Sequence, residues 1–580
     1  MKFLLVGINS KYIHSNPAIY SLRGCLGENQ HAVKAVEYTI NQDIAAIRSS
    51  IYKEHPDAIG FSCYIWNIRY VLELAEDLSR LLSGIPIWFG GPEVSYRAQS
   101  LLEQYRWLSG VMCGEGEASF AALVRRMMEG NYDPVGISGL VYRGSDGKIY
   151  DTRPVMLSDF EHLPFLYSDG NLPENRIIYY ETSRGCPYRC SYCLSSVDKK
   201  IRLRDLEMVF RELDFFLERR VPQVKMIDRT FNCVRIRARK IWKYLRDHDN
   251  GITNFHFEIG ADLLEEEDFA ILAGMRPGLV QFEIGVQTAN PQTLKAIRRE
   301  APLDKICQAV RRVHEFGNIH QHLDLIAGLP FEDYESFGHS FDLVYSLSPD
   351  QLQLGFLKVL SGTQMEQEAE KYGIVYSSQP PYEVLSTKWL SYDELCRLKQ
   401  IEDAVETFYN SRQFEGTVRY LEQKVSRTFE LFEMMADWLA GMCKDGGRPG
   451  RKRLYEEMAL CMERYWPEER GLWSQLLTMD YDARENSGAR PSFAEGASGW
   501  KEMEKAFYIE EAAKRRYLPK YEAYDSKQLQ HMTHMEVFDW NLVDFMQGKM
   551  LCRERTVVLF DYKNRDFRSA NAKMTIIQDV

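Results

Sequence analysis

Residues 177–193 read IIYYETSRGCPYRCSYC, an apolar run followed by a short loop that carries Cys186, Cys190 and Cys193. The run at 177–182 predicts a buried β-strand, because short segments rich in β-branched and aromatic residues favour strands. The loop has the spacing CxxxCxxC, which allows three sulfurs to point at one site. Three thiolates can hold an iron–sulfur cube and leave one iron without a protein ligand. We therefore predict that these cysteines ligate a [4Fe-4S] cluster and form the catalytic centre.

A structural zinc site is the main alternative interpretation of the three cysteines. Such a site needs a fourth ligand and more often shows paired CxxC spacing. The other nine of the twelve cysteines are scattered along the chain. A chain of this size in a reducing compartment does not need a disulfide framework. The spacing favours the iron–sulfur cluster.

The strand before the cysteine loop begins a series of six apolar runs separated by helical patterns. The runs lie at 177–182, 224–227, 255–259, 280–285, 322–327 and 351–357. Alternating strands and helices of this kind predict a partial (β/α)6 barrel, which we assign to residues 176–368. The carboxyl ends of such strands carry the functional groups.

The chain on either side of this barrel divides into three further regions. Residues 1–133 contain apolar runs at 3–7, 35–38, 58–63, 86–90 and 110–114, which predict an α/β, doubly wound, Rossmann-like domain. Residues 134–175 predict a linker with a small hairpin. Residues 369–580 predict a mostly helical C-terminal extension that ends in a β-hairpin formed by 556–562 and 572–577.

The overall composition narrows the class of protein. The 580 residues are 45% apolar and 27% charged, which is typical of globular chains, and the formal net charge is −11. Mild acidity argues against broad contact with nucleic acid. The apolar run at 3–8 is too short for a signal peptide or a membrane span, and no other run approaches the required length. We expect a soluble, cytoplasmic protein.

The segment from Gly185 to Cys193 resembles the signature loop of the radical S-adenosylmethionine (SAM) superfamily, including the aromatic Tyr192 before the third cysteine. In that family SAM chelates the open iron, and one electron from the cluster yields a 5'-deoxyadenosyl radical. Segments 226–232, 282–288 and 324–330 resemble later strand ends of the same barrel. The resemblance implies that SAM contacts the loop aromatic and the strand-end residues, which are Tyr192, Asp228, Glu258, Gln287, Asp324 and Gly328.

Segments 60–67, 89–95 and 114–117 resemble the cobalamin-binding domain that precedes many radical SAM barrels. Glycine-rich strand ends let a large ring or its tail lie close to the backbone. The family motif DxHxxG, which supplies a lower cobalt ligand elsewhere, is absent, and His14 lies in the corresponding loop. The implied cobalamin contacts are strand-end and loop residues, namely His14, Ser62, Gly90, Gly91, Glu93, Gly114 and Glu115.

These resemblances imply an activity and its cofactors. We expect a radical SAM enzyme that uses a [4Fe-4S] cluster, SAM and cobalamin to methylate an unactivated carbon of an unknown substrate. The alternatives are a cobalamin-type radical SAM enzyme doing rearrangement or redox chemistry, and a non-catalytic protein that binds cobalamin or SAM. An electron donor such as flavodoxin or ferredoxin is the expected partner, without membrane or nucleic acid. The C-terminal third resembles an extension found on uncharacterised cobalamin-type radical SAM proteins.

Overall fold

The computed structural model describes residues 1–578 except 154–159, 169, 171, 444–446, 448, 487–489 and 495–499. The described chain forms a seven-stranded sheet, a six-stranded sheet, a three-stranded sheet and two short two-stranded pairs, with helices between them. The α/β class expected from the sequence is confirmed. Parts of the predicted linker and of the polar segment near residue 490 lie outside the described residues.

The N-terminal domain is built on a mixed sheet with the strand order β2-β1-β3-β4-β5-β6-β7. All seven residues of β1 are buried, as expected for a central parallel strand that is covered on both faces. Its strands are β1 Phe3–Asn9, β2 Val33–Thr39, β3 Ala58–Ser62, β4 Ile87–Gly90, β5 Gly110–Met112, β6 Leu140–Arg143 and β7 Ile149–Asp151. Its helices are α1 Pro17–Gly24, α2 Ile44–Lys53, α3 Ile68–Leu81, α4 Pro92–Ser95, α5 Ala98–Gln104 and α6 Glu117–Met128.

The hairpin that the sequence assigned to a linker belongs to this sheet. Strand β6 pairs antiparallel with β5, and β7 pairs antiparallel with β6. Val141 is fully buried with the core of the domain. The N-terminal domain therefore extends to β7, beyond the predicted boundary at residue 133, because the apolar face of β6 completes the core.

The central domain is the predicted partial barrel. Its six strands are parallel neighbours in the order β15-β14-β13-β12-β11-β8. Its strands, with the short pair β9 and β10, are β8 Ile178–Tyr180, β9 Ser183–Arg184, β10 Arg202–Leu203, β11 Gln223–Met226, β12 Asn254–Glu258, β13 Val280–Gln287, β14 His320–Ala327 and β15 Gln351–Phe356. Its helices are α7 Leu206–Glu218, α8 Arg235–Asp247, α9 Glu266–Ala273, α10 Pro291–Ala296, α11 Leu303–Phe316 and α12 Tyr334–Tyr345.

The C-terminal region is mostly helical and shares one hydrophobic core with the barrel. Ser391 and Glu394 form a capping box that begins α14 one residue later, at Tyr392. The helices are α13 Gln364–Glu368, α14 Tyr392–Ala404, α15 Glu415–Glu422, α16 Thr428–Met442, α17 Arg451–Tyr465, α18 Arg470–Arg484, α19 Lys501–Lys514, α20 Ser526–Met532 and α21 Leu542–Met546. A π-helical turn, Val405–Asn410, follows α14.

The predicted terminal hairpin is part of a larger sheet. Its strands are Thr556–Arg565 and Ala572–Ile577, and a third strand, Thr533–Phe538, pairs antiparallel with the first. We number the strands of this region β16 Val375–Tyr376, β17 Val384–Ser386, β18 Thr533–Phe538, β19 Thr556–Arg565 and β20 Ala572–Ile577. Within the described residues, no helix combines the length and the apolar character that crossing a bilayer requires.

Candidate functional site

The three cysteines lie at the carboxyl end of the barrel, where the sequence places them. Cys186 and Cys190 are buried and Cys193 is half-buried. The Cys186 N–H donates to the Asp198 carbonyl oxygen at 3.1 Å, and the Ser191 N–H donates to the Ile297 carbonyl oxygen at 3.0 Å. Backbone hydrogen bonds therefore fix the loop at both ends before any metal binds.

The spacing of the sulfurs separates the two metal hypotheses. Among described residues, the only three His, Cys, Asp or Glu ligand atoms that all lie within 4.8 Å of one another belong to Asp482, His534 and Glu536. At least one pair of the loop sulfurs is therefore more than 4.8 Å apart. Tetrahedral zinc, with Zn–S bonds of about 2.3 Å, needs sulfurs about 3.8 Å apart. This spacing favours a cluster in which each thiolate binds a different iron over a single shared zinc ion.

Asp228 is hydrogen-bonded to the strand end that leads into the cysteine loop. Its carboxylate accepts hydrogen bonds from the Thr182 N–H at 3.0 Å, the Thr182 hydroxyl at 2.6 Å and the Ser183 hydroxyl at 2.5 Å. Burial raises its pKa to about 6 despite these donors. The sequence predicts a SAM contact here, and that prediction stays untested. The observed contacts make Asp228 a residue that positions the strand leading into the loop.

Arg299 is a site residue that sequence reasoning missed. Its guanidinium lies 3.9 Å from the Cys190 sulfur and also donates to the Gly285 carbonyl oxygen. Its cationic charge therefore lies beside one of the predicted cluster ligands. A basic residue shortly after a helix is common in any sequence, so no local signal identified it.

Gln287 occupies an unusual backbone conformation at the end of β13. Its φ is +74°, a region that non-glycine residues rarely adopt, and the strand register shifts between Gly285 and Gln287. Its Oε1 atom is buried without a hydrogen-bond partner. A β-carbon on Gly285 would collide with its side-chain amide. An unpartnered buried amide beside the cysteine loop is the environment expected for a ligand contact.

The remaining predicted SAM residues lie on or directly after the barrel strands, or in the cysteine loop, and none of them lines the cavity described below. Glu258 is half-buried, and burial raises its pKa to about 7. Asp324 lies 3.1 Å from the His322 Nε2 atom, and burial raises its pKa. Tyr192 packs against the barrel core. Gly328 faces Val384 of β17, whose methyl group would lie 2.6 Å from a β-carbon at that position. The absence of a side chain at Gly328 therefore leaves room for Val384 of the C-terminal region.

A cavity of about 600 Å³ lies between the N-terminal sheet and the barrel. One side consists of strand-end and loop residues of the N-terminal domain, namely Ser62, Tyr64, Gly90, Gly91, Gly114 and Glu115. The other side includes Glu181, Ser183, Arg184, Gly185, Ile227 and Arg229 of the barrel. The cavity therefore reaches the chain on either side of the cysteines, at Gly185 and Leu194, whereas the three cysteines do not themselves line it.

Glycine is required at the floor of this cavity. Gly91 has φ +114°, and a β-carbon there would lie 2.5 Å from the Cys63 carbonyl oxygen. Gly114 also has positive φ, at +66°. Because these glycines have no side chains, nothing projects from the backbone into the cavity at these positions, and a flat ring could approach it. The cavity therefore fits a large planar cofactor such as cobalamin.

Two predicted cobalamin contacts lie elsewhere. Neither His14 nor Glu93 lines the cavity. The His14 Nδ1 atom lies 2.6 Å from the Tyr179 hydroxyl in the barrel. Glu93 is buried and accepts a hydrogen bond from the Tyr382 hydroxyl. Both residues therefore connect the N-terminal domain to the rest of the chain.

Glu115 lines the cavity and also ties the two domains together. Its carboxylate lies 2.8 Å from an Arg202 guanidinium nitrogen and 3.3 Å from Arg184. Arg184 also pairs with Glu117 at 3.0 Å and with Glu181 at 2.8 Å. The charges of these arginines are thus balanced by carboxylates at the domain interface.

The group formed by Asp482, His534 and Glu536 is an ion-pair network. Arg490 lies 2.9 Å from Asp482 and also contacts Glu536. His534 lies 3.4 Å from Asp482 and 3.6 Å from Glu536. Because the Arg490 guanidinium occupies the position between the carboxylates, these residues do not form a metal site.

Comparison with known proteins identifies the class that the fold and cavity define. Residues 4–124 match the B12 binding domain, and residues 180–344 match the Radical SAM superfamily. The chain therefore carries a B12 binding domain followed by a radical SAM domain. Residues 370–560 match a domain described as a protein of unknown function, DUF4080, which distinguishes this chain within that class.

Individual relatives agree with this assignment. The cobalamin-dependent radical SAM methyltransferase TokK of Streptomyces tokunonensis is 24% identical over 346 residues, which cover 55% of this chain and 50% of that protein. The chain thus matches only half the length of this relative. The solved structure of the methyltransferase TsrM of Kitasatospora setae, with cobalamin and a [4Fe-4S] cluster, is 19% identical with a TM-score of 0.52, covering 66% of this chain and 79% of that one. The cobalamin-dependent SAM radical enzyme OxsB is 15% identical with a TM-score of 0.55, covering 94% and 84%.

The cofactors follow from these domains: a [4Fe-4S] cluster and SAM in the barrel, and cobalamin in the N-terminal domain. The residues present in the two domains fit these cofactors. Three cysteines can hold the cluster, Gln287 offers an unpartnered amide, and the glycine-rich strand ends form a cradle.

Proposed function

We propose that this protein is a cobalamin-dependent radical SAM methyltransferase that acts on an unactivated carbon. The observation that carries the proposal is the cavity between the N-terminal sheet and the cysteine loop. Gly91 and Gly114 lie on one side of it, and Gly185, next to Cys186, lies on the other. The glycine-rich strand ends and the residues that flank the cluster cysteines therefore border one cavity, an arrangement that supports sequential chemistry on one carbon.

When bound, the cluster supplies the electron that cleaves SAM to a 5'-deoxyadenosyl radical, and cobalamin supplies the methyl carrier. The chain's own residues position these groups. Cys186, Cys190 and Cys193 would bind three irons, and the positive charge of Arg299 lies beside Cys190, where it would offset part of the negative charge of the cluster. Gln287 presents a buried amide oxygen to an incoming donor.

The carboxyl group of Glu258 can hold a proton, and Arg229 lies next to it. The Glu258 carboxyl has a pKa near 7, so it exchanges a proton close to neutral pH. Arg229 lies 3.9 Å from Glu258 and borders the cavity. We propose that this pair orients a polar part of the substrate, while the surrounding apolar walls exclude water.

The proposal includes a location and a partner. A reduced electron carrier such as flavodoxin or ferredoxin would supply the cluster with electrons. All twelve cysteines are free, which suits a reducing compartment. We propose that the protein works in the cytoplasm.

Anaerobic reconstitution tests the proposal. Iron, sulfide and cobalamin are added to the pure protein, and SAM with a labelled methyl group is supplied together with titanium(III) citrate. We expect about four irons per chain, 5'-deoxyadenosine, and transfer of the label to a substrate found by screening cell extracts. A product without the label would favour rearrangement or redox chemistry. No 5'-deoxyadenosine under strong reductant would favour a binding protein.

Replacement of the cluster ligands gives the sharpest control. Cys186→Ala, Cys190→Ala and Cys193→Ala should each lower iron content and abolish 5'-deoxyadenosine formation, because the cube loses a ligand. Cys233→Ala is the matched control, since this cysteine also lies in the barrel and is half-buried. Full iron content in the three variants would refute the cluster assignment.

A further inference from the structure

Among the described residues, each charged side chain that lines the cavity is close to an opposite charge, with one exception. Arg204 donates to the buried Glu212 at 2.7 Å. The lining carboxylates all pair with Arg184 or Arg202, and they are Glu115, Glu117, Glu181 and Asp198. Arg229 also lines the cavity, but its nearest carboxylate, Glu258, is 3.9 Å away. Within the part of the chain that the structure describes, the Arg229 guanidinium forms no hydrogen bond, so its charge is the least compensated in the cavity.

The neighbours of Arg229 fix its place between the two domains. It directly follows Asp228, whose buried carboxylate accepts hydrogen bonds from the strand end before the cysteine loop. The next residue, Thr230, has its hydroxyl 3.7 Å from the Cys186 sulfur. Burial raises the pKa of the Tyr64 phenol in the N-terminal domain, and the charge of Arg229 opposes that shift. The Arg229 side chain is 56% exposed, so a molecule in the cavity can reach it.

The chemistry of Arg229 favours an oxygen anion. A guanidinium is planar, keeps its charge at physiological pH and can donate two parallel hydrogen bonds to a carboxylate or a phosphate. Burial raises the pKa of Glu258 to about 7, so this carboxyl is partly protonated at neutral pH and compensates the charge of Arg229 incompletely. An accessible guanidinium of this kind, in a largely apolar cavity, is a polar group that fixes the orientation of an anionic ligand.

We propose that Arg229 binds a carboxylate or phosphate group of the substrate, so that the molecule methylated is an organic anion. This inference rests on the proposed function, because that function places the substrate in the cavity. Arg229 then determines specificity: it holds the anionic end of the substrate and takes no part in bond breaking. Two cofactor groups have the same chemistry, the carboxylate of SAM and the phosphodiester of cobalamin, and the experiments separate them from a substrate.

Titration with simple anions tests the site. Inorganic phosphate and acetate are titrated calorimetrically into the protein reconstituted with cluster and cobalamin. We expect the Kd of at least one probe to rise about tenfold or more in Arg229→Gln, whereas Arg229→Lys should retain part of the affinity. Arg235→Gln is the matched control, because Arg235 is also exposed, begins the following helix α8 and does not line the cavity. Equal affinity in Arg229→Gln and wild type, or no binding of either probe by wild type, would overturn the proposal.

Cofactor binding decides which anion the site takes. The Kd of SAM and the retention of cobalamin should be the same in Arg229→Gln and wild type, because the substrate is the ligand of this guanidinium. Weaker binding of either cofactor by Arg229→Gln, with Arg235→Gln unchanged, would assign the site to the carboxylate of SAM or the phosphodiester of cobalamin and overturn the substrate assignment.

Product analysis separates this proposal from the proposed function. Metabolites of a cell extract are divided into anionic, neutral and cationic fractions, and each fraction is incubated with the protein, methyl-labelled SAM and titanium(III) citrate. Label should appear in the anionic fraction with wild type, and about tenfold less with Arg229→Gln. Label in another fraction would overturn the proposal. Absence of 5'-deoxyadenosine in wild type, or label in no fraction, would instead count against the proposed function, and the anion titrations would still decide the site.

Discussion

Asp228 illustrates how a single buried carboxylate organises the cysteine loop. It accepts three hydrogen bonds from Thr182 and Ser183, which are themselves buried. A buried donor that loses its acceptor costs about 1–3 kcal/mol. The strand that leads into the loop therefore depends on this residue.

Replacement of Asp228 distinguishes support of the loop from contact with SAM. Asp228→Ala should lower iron content and the midpoint of thermal unfolding, because it leaves the donors of Thr182 and Ser183 unsatisfied. Asp228→Asn should retain more iron, since its amide oxygen can still accept the Thr182 N–H. Iron analysis and SAM titration of both variants check this. Full iron content with weakened SAM binding in Asp228→Ala would show a direct SAM contact.

His14 gives a prediction about cobalt coordination. Its Nδ1 atom lies 2.6 Å from the Tyr179 hydroxyl, and it does not line the cavity. His14→Ala should therefore leave the visible and electron paramagnetic resonance spectra of bound cobalamin unchanged. A spectral shift in His14→Ala would identify it as a ligand.

Gly91→Ala should reduce cobalamin retention about tenfold or more, because a β-carbon at φ +114° collides with the Cys63 carbonyl.

At the scale of elements, strand β18 brings a histidine between two carboxylates. Burial lowers the pKa of His534, but Asp482 and Glu536, 3.4 and 3.6 Å away, raise it to about 9. The raised pKa means that the folded state holds a proton that the unfolded chain releases near pH 6.5. The resulting stabilisation is complete below pH 6.5 and is lost as pH rises through 9.

Thermal unfolding should show this pH dependence. The wild-type C-terminal sheet should lose about 2–3 kcal/mol of stability between pH 6 and pH 10. His534→Gln should lose much less over the same range, because glutamine does not titrate. Circular dichroism melts at the two pH values compare the proteins. An equal pH dependence in both would exclude His534 as its source.

At the scale of the whole molecule, the C-terminal region holds the N-terminal domain in place. The Tyr382 hydroxyl donates to Glu93 and accepts a hydrogen bond from Arg97 at 2.7 Å. Gly362 lies against the ring of Tyr96, so closely that no side chain would fit there. Tyr96 itself lines the cavity. Tyr382 of the extension and Gly362 at the end of the barrel therefore both hold the segment that carries Tyr96, which lines the cavity.

Tyr382→Phe should loosen this segment. It removes a hydrogen bond to the buried Glu93 carboxylate, which costs about 1–3 kcal/mol. We expect a lower unfolding temperature, weaker cobalamin binding and faster proteolysis in the connector after β7. Tyr376→Phe is a suitable control, because the Tyr376 hydroxyl has no hydrogen bond to a described residue. Identical behaviour of the two variants would show that the Tyr382 contact does not hold this segment.

The sequence by itself determined most of the elements, and it predicted the cluster ligands. Each barrel strand was recognisable because burial on both faces of a parallel sheet requires a continuous apolar run. The CxxxCxxC loop was recognisable because its ligands lie within eight residues of one another. The two strands of the terminal hairpin, predicted at 556–562 and 572–577, were recognisable because their apolar pattern is local.

Only the tertiary structure decided which polar groups meet. Glu93 and Tyr382 are 289 positions apart, and His14 and Tyr179 are 165 apart, so no local pattern reports either contact. The same applies to Arg299 beside Cys190. Strand β6 was assigned to a linker because its place in the sheet, between β5 and β7, depends on pairing with distant segments. Apolar periodicity reports that a residue is buried, whereas the partner of a buried polar group depends on how distant segments pack.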